Sequence, residues 1–185
     1  MSEPGAPVGD SDAELIGRWR QGDQRAAALL VERHGPALAR FAASNGFGTQ
    51  GEIEELVQDT FVRAFGSLDG FRGESSLRTW LISIERRLML DHRRSARRRP
   101  VEAELRDDAA ATEFDALDGL VAEETARKVR HAMERLTPTQ REVFTLRVSE
   151  GLSYKEIAQV VDTTLGAARV HYHNALRAIK ELLDE

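Results

Sequence analysis

Apolar residues in this chain recur at three- and four-residue spacing and almost never alternate, so the pattern predicts helices and no sheet. A first helix follows Asp10-Ser11-Asp12, with Leu15, Ile16 and Trp19 on its apolar face, Asp10 or Ser11 as its cap and Gly22-Asp23 as its break. A second begins near Asp23 and carries Ala27, Leu30, Val31 and His34, then, beyond Pro36, Leu38 and Phe41. Gly46, Gly48 and Gly51 mark a loop. Residues 52–66 form the clearest helix of the first half: Ile53, Leu56, Val57, Thr60, Phe61, Ala64 and Phe65 make one stripe, opposite Glu54, Glu55, Gln58, Asp59 and Arg63. After a loop from Gly66 to Gly73, Ser75-Ser76 offer caps for a helix whose inward stripe is Leu77, Trp80, Leu81, Ile84, Leu88 and Asp91, with no breaker before Pro100.

The second half repeats the helical pattern in shorter units. Leu120, Val121, Thr125, Val129, Ala132, Met133 and Leu136 form a stripe that ends at Thr137-Pro138. A threonine cap followed by proline in the first turn starts the next helix, which stops at Gly151. Ser153 with Glu156 makes a capping box for a short helix from Tyr154 to Val161. Asp162-Thr163-Thr164 is the turn into a last helix from Leu165 to Leu183. Short helix, tight turn and longer helix, with Ala158 small enough for a close crossing, is the pattern of a helix-turn-helix. Leu165, Ala168, Tyr172, Leu176, Ile179 and Leu183 are expected to face inward, leaving Arg169, His173, Arg177 and Lys180 outward, flanked by Gly166, Val170 and Asn174. Because the N-terminal part of such a helix enters the major groove, Thr164, Arg169, His173 and Asn174 are the expected DNA contacts, with Arg177 approaching the backbone.

Charge adds a second theme. The chain has 185 residues and a formal net charge of −5, yet Arg86 to Arg99 holds seven arginines and one histidine against a single carboxylate, Asp91. A local cationic stretch in an acidic chain points to an anionic partner, nucleic acid first. The composition then inverts: Glu102 to Glu124 contains nine acids and one arginine. This acidic segment reads as a linker that can fold back on the arginines and compete with nucleic acid. The expected fold is all-α, with two small helical domains joined by a flexible acidic linker and a helix-turn-helix in the C-terminal one. Its divisions are a disordered leader at 1–11, a first domain at 12–100, the linker at 101–119 and a second domain at 120–185. There are no cysteines, which excludes disulfides and cysteine-based metal sites. No apolar run reaches the roughly 18 residues of a membrane span, and the polar, acidic N-terminus has no signal-peptide core, so the expected location is the cytoplasm.

With these motifs in place, the chain resembles the bacterial extracytoplasmic-function (ECF) sigma factors of the sigma-70 family from Asp12 to Leu183. The first matching set is Glu55-Leu56-Val57-Gln58-Asp59-Thr60-Phe61, Phe71-Arg72-Gly73-Glu74-Ser75-Ser76-Leu77-Arg78-Thr79-Trp80-Leu81, and Ile84 to Asp91. The second is Leu136-Thr137-Pro138, Arg141-Glu142-Val143-Phe144, Gly151 to Ala158, and Gly166 to Ala175. The resemblance implies a first domain (region 2) that binds the β′ clamp helices of core RNA polymerase and opens the promoter −10 element. It implies a second (region 4) that reads the −35 element and touches the β flap. By position, Glu55, Gln58 and Asp59 would meet polymerase. The loop with Arg72, Ser75 and Ser76 would hold a flipped base, and Arg86, Arg87, Arg93 and Arg94 would hold phosphates. Trp80, on the Leu77/Leu81 stripe, is expected in the core, and Arg97 to Arg99 as a non-specific electrostatic patch. The resemblance also implies an anti-sigma factor as regulator, and no cofactor or metal. The chain departs from the common pattern at Glu85-Arg86-Arg87, where Ala-Arg-Asn is usual, at Ala167-Ala168-Arg169, where Thr-Val-Lys is usual, and at Thr163, where the turn residue is usually apolar.

Two other functional classes compete with this reading. A helix-turn-helix regulator acting on duplex DNA without polymerase shares the C-terminal pattern. An enzyme fits poorly. His34, His92, His131, His171 and His173 are scattered, and His171 and His173 stand about 200° apart on a helix, so they form no metal-binding pair. No phosphate loop, nucleophile elbow or dinucleotide fingerprint is present.

Overall fold

A computed structural model describes residues 10–98 and 121–183, with side chains placed for 10–96 and 127–183. Among the described residues every regular element is helical: α1 (Asp12–Arg20), α2 (Gln24–Ser44), α3 (Gln50–Gly66), α4 (Leu77–Arg98), α5 (Val121–Glu134), α6 (Pro138–Val148), α7 (Tyr154–Val160) and α8 (Leu165–Leu183), with a 3₁₀ turn at Leu68–Gly70. The chain divides into two compact units, Met1–Pro36 and Ala37–Glu185, so the division falls at the proline inside α2. The acidic stretch expected as a linker at 101–119 lies outside the described residues, and so does its expected return onto the arginines.

The helix starts follow from short-range chemistry. The Ser11, Thr49, Thr137 and Ser153 hydroxyls each accept from the backbone N–H three residues on. The side chain of that third residue accepts in return from the cap backbone, giving four capping boxes. Ser11, and not Asp10, therefore caps α1. Ser76 caps α4, accepting from Thr79 N at 3.1 Å, and Thr164 caps α8, accepting from Ala167 N at 3.1 Å.

In the first unit, Asp12 ties α1 to α2. Its two oxygens accept from Arg33 Nη1 at 2.7 Å and meet His34 Nε2 at 2.9 Å. Partial burial pushes the Asp12 carboxyl up, but the hydrogen bonds from Arg33 and His34 outweigh this and hold it below its ordinary value. Arg18 bonds Asp23 across the α1–α2 turn at 2.9 and 2.7 Å.

In the second unit α3 packs on α4, α4 on α7, and α8 on α5, α6 and α7. Because α4 is covered on two sides, its buried arc is wider than one stripe. Ile82, Glu85 and Met89 are buried beside Leu77, Leu81 and Leu88, while Trp80 and Ile84 are half-buried and Asp91 is exposed. In α8 the buried residues are Ala168, Ala175 and Ile179. Ala132, Leu136, Ala175 and Ile179 form one cluster, with Met133 and Phe144 packed against it. Leu165, expected inward, is 42% exposed. As the first residue of α8 it has no preceding turn to lie against. Arg141 closes the C-terminal end of α5, donating from Nε to Met133 O at 2.8 Å and from Nη2 to Glu134 O at 2.9 Å. Carbonyls that have no partner inside the helix are thereby satisfied by a cation.

The Thr137 box links α5 to α6, its hydroxyl accepting from Gln140 N at 3.3 Å. Thr137→Ala should therefore lower stability by about 1 kcal/mol, read as a lower urea midpoint with an unchanged slope.

Candidate nucleic-acid interface

The loop before α4 is built to be open. Gly73 has φ of +72°, a conformation that disfavours side chains, and the turn leaves Arg72 and Glu74 exposed. Between this loop and α4 lies a pocket of 310 Å³, lined by Phe71, Arg72, Ser75, Trp80 and Arg87 among others. Trp80 belongs to this wall and not to the expected core. Its ring lies 5.2 Å from that of Phe71, tilted by 45°, and it is half-buried. Ser75 lines the pocket with its hydroxyl directed to Ser76 O at 3.3 Å, whereas Ser76 is occupied as the cap of α4. Gln159 and Val160 of α7 complete the wall.

The arginines of α4 fall into two kinds. Arg87, on the pocket rim, and Arg94 are exposed, and Arg94 makes only a loose pair with Asp91 at 3.4 Å. Arg86 is not the free cation the pattern suggested: its side chain is 15% exposed and its Nε donates to Glu142 Oε2 at 2.9 Å. Arg93 is half-buried and donates to Asn45 O at 2.7 Å, closing the end of α2. The side chains of Arg97 to Arg99 lie outside the described residues.

At the other end of the chain, α7 and α8 are joined by a turn in which Asp162 has φ of +54° and Thr163 N donates to Ala158 O at 2.9 Å. Arg169, His173 and Arg177 are exposed on α8, Asn174 is half-buried, and Thr164 is exposed while capping the helix. Arg169 is held over the Tyr154 ring at 5.6 Å, and Arg147 lies over the same ring at 4.9 Å. From Thr163 to Lys180 there is no acidic residue, so the outward face of α8 is cationic or neutral up to Glu181, whose carboxylate stands 4.0 Å from Arg177 Nε. On α3, Glu55, Gln58 and Asp59 are exposed as expected. They share their surface with Val62, 70% exposed, which sequence reasoning missed because it lies off the apolar stripe.

Comparison with known proteins assigns these parts. The Sigma-70 region 2 profile matches residues 30–99 and the Sigma-70, region 4 profile residues 126–179. The chain is 33% identical over 178 residues to the ECF RNA polymerase sigma-E factors of Salmonella typhimurium and Escherichia coli, covering 91% of this chain and 92% of theirs. The chain belongs to the ECF group of the sigma-70 family. Among solved structures it is similar to CnrH, determined in complex with the cytosolic domain of CnrY (30% identity, TM-score 0.68, covering 95% of this chain and 98% of that one). It is also similar to the sigma factor RpoE of Bartonella quintana, determined with the anti-sigma factor NepR (25% identity, TM-score 0.66, covering 85% and 96%).

In this sigma factor α4 lies in region 2 and α6 to α8 in region 4, so the ion pairs between them join the two regions. Besides Arg86 with Glu142, Arg78 bonds Glu150, whose side chain is fully buried, and Arg40 Nε stands 3.8 Å from the other Glu150 oxygen. Thr79 donates to Glu156 at 3.1 Å, while hydrogen bonds from the Ser153 hydroxyl and backbone, with Thr79 adding to them, hold the Glu156 carboxyl below its ordinary value. Among the described residues there is no metal-binding cluster, and no helix is long and apolar enough to cross a membrane.

Glu85 stands apart from these pairs. It is fully buried and neither carboxyl oxygen has a hydrogen-bond partner. Burial pushes its carboxyl well above the ordinary value of 4.5, so the folded chain holds that proton more tightly than the unfolded chain. The associated stability is fully present below the unfolded value and is lost as pH rises towards the folded one. Glu85→Gln, which cannot ionise, should therefore gain on the parent as pH is raised from about 5 to about 8, by at most about 1.4 kcal/mol per pH unit. Paired urea melts across that range check it, and a difference independent of pH would remove the neutral acid.

Proposed function

We propose that this sigma factor directs promoter-specific initiation by placing a single-strand pocket and a duplex-reading helix on one chain, the first at residues 12–100 and the second at 120–185. The observation that carries the reading is the Phe71/Trp80 pocket beside exposed Arg87. Unpaired bases are held by aromatic surfaces and cationic grooves, with stacking worth about 1–3 kcal/mol per base. A pocket of 310 Å³ falls at the lower end of the range for small-molecule sites, suited to one flipped base. Arg72 and Ser75 supply donors to that base. Arg87 and Arg94 hold phosphates, and Arg86 joins them when it exchanges the Glu142 carboxylate for a phosphate. Arg93 and Ser76 act indirectly, fixing the end of α2 and the start of α4.

In region 4, Arg169, His173 and Arg177 face the −35 duplex, Thr164 sets the helix start and Asn174 lies at the edge of the contact. Glu55, Gln58, Asp59 and Val62 form the surface for the β′ clamp helices of core polymerase, and region 4 meets the β flap. The protein acts in the cytoplasm by binding and not by catalysis. A protein inhibitor is supported by the anti-sigma complex of the similar Bartonella quintana RpoE.

Run-off transcription with core polymerase tests the whole reading. Promoter-specific product from core enzyme plus this chain is expected, and specific duplex binding without such product would make it a polymerase-independent regulator. Trp80→Ala and Arg87→Ala should each reduce open-complex formation roughly tenfold. Arg87→Ala should also lower the salt slope by about one. Permanganate footprinting reads the melting, and normal melting in both variants would move the −10 site elsewhere. Arg169→Ala and His173→Ala should weaken −35 selectivity while core binding, measured by co-purification, stays unchanged.

A further inference from the structure

The outward line of α8 differs from the one the sequence pattern suggested. The buried line is Ala168, Ala175 and Ile179. At about 100° per residue, the positions opposite it are Gly166, Val170, His173 and Arg177, which places Arg169 and Asn174 on the shoulders. Val170, a flank by the sequence pattern, therefore sits near the middle of the face, and it is 57% exposed. One solvated valine on a surface is ordinary. This one lies on the outward line between Gly166 and His173, in the N-terminal half of α8, the part of a recognition helix that reaches the base edges.

Gly166 supplies an independent observation. Its φ is not in the left-handed region, and a Cβ added there would meet only Thr164 Oγ1, at 4.0 Å. Neither packing nor backbone conformation requires glycine, although alanine is the better helix former. Glycine one turn before Val170 leaves bare backbone on the outward line, so whatever lies against Val170 can also approach the helix closely.

A major-groove wall presents one apolar group at base level, the C5-methyl of thymine. We propose that Gly166 and Val170 form a thymine-reading contact, with the Val170 isopropyl group packed on that methyl and Gly166 admitting the groove wall. The inference rests on the −35 reading proposed above. It adds a specificity contact that carries no charge and no hydrogen bond.

The test uses holoenzyme reconstituted from the full chain and core polymerase. A −35 element is selected from a randomised duplex library, and each thymine in it is then replaced by deoxyuridine, which removes only the methyl. For the parent, replacement at one or two positions should weaken binding about fourfold, the equivalent of one buried methyl group at about 0.8 kcal/mol. Val170→Ala should bind the thymine duplex about fourfold more weakly and lose nothing further on deoxyuridine. Gly166→Ala should bind the same duplex more weakly while melting no lower than the parent, a split that a structural glycine would not produce. Parent binding indifferent to every replacement, a selected element without thymine, or a Val170→Ala variant as sensitive as the parent would each overturn the contact while leaving the −35 reading intact. Enrichment of no −35 sequence would overturn that reading and the contact with it.

Discussion

Cations on α4 and carboxylates on α6 and in the α6–α7 connection hold this sigma factor's two regions against each other. Arg86 with Glu142 and Arg78 with Glu150 are charge-assisted pairs whose acids are almost wholly withdrawn from water. Buried pairs of this kind add little net stability, because desolvation offsets the attraction, but separating one partner without a replacement is costly. The regions are therefore held less by gain from the pairs than by the penalty for an unpaired charge. Anything that supplies a substitute partner lowers that penalty. On the proposed reading, a phosphate offered to Arg86 does so, as an alternative to Glu142 for one guanidinium.

Glu85 sharpens the contrast. It lies next to Arg86 in sequence and is as buried as Glu150, but its oxygens have no hydrogen-bond partner and burial pushes its carboxyl well up. Two solutions to the buried-acid problem thus meet on neighbouring elements. Pairing leaves a charge that can be exchanged for another, whereas protonation leaves a neutral group with nothing to exchange.

Much of this was legible in the sequence where the physics is local. Ser153 with Glu156, and proline after Thr137, announce helix starts because both partners lie within one turn. The helix-turn-helix follows from spacing alone. What escaped depends on distant partners. Arg86 and Glu142 are 56 residues apart and Arg78 and Glu150 72, and nothing near any of them signals a mate. The face of α4 was misplaced for a related reason: a periodic stripe implies one covering neighbour, and this helix has two, so Trp80 ended in a pocket wall and Glu85 in the core. Leu165 misled because an apolar residue at a helix start continues the pattern without a turn beneath it.

The two candidate DNA surfaces divide recognition by the physical state of the nucleic acid. A flipped base exposes its faces, and Phe71 with Trp80 offers aromatic area to one of them. A base in duplex exposes only its edge, which calls for a thin, close-approaching element such as the Gly166–Val170 stretch of α8. Each surface is cationic within a chain of net charge −5, and the two are not equally guarded. The first has α7 against its pocket and a buried glutamate on Arg86, while on α8 Arg177 meets only the exposed Glu181, at 4.0 Å. On the proposed reading, duplex can therefore be engaged at α8 while the single-strand pocket still has α7 against it.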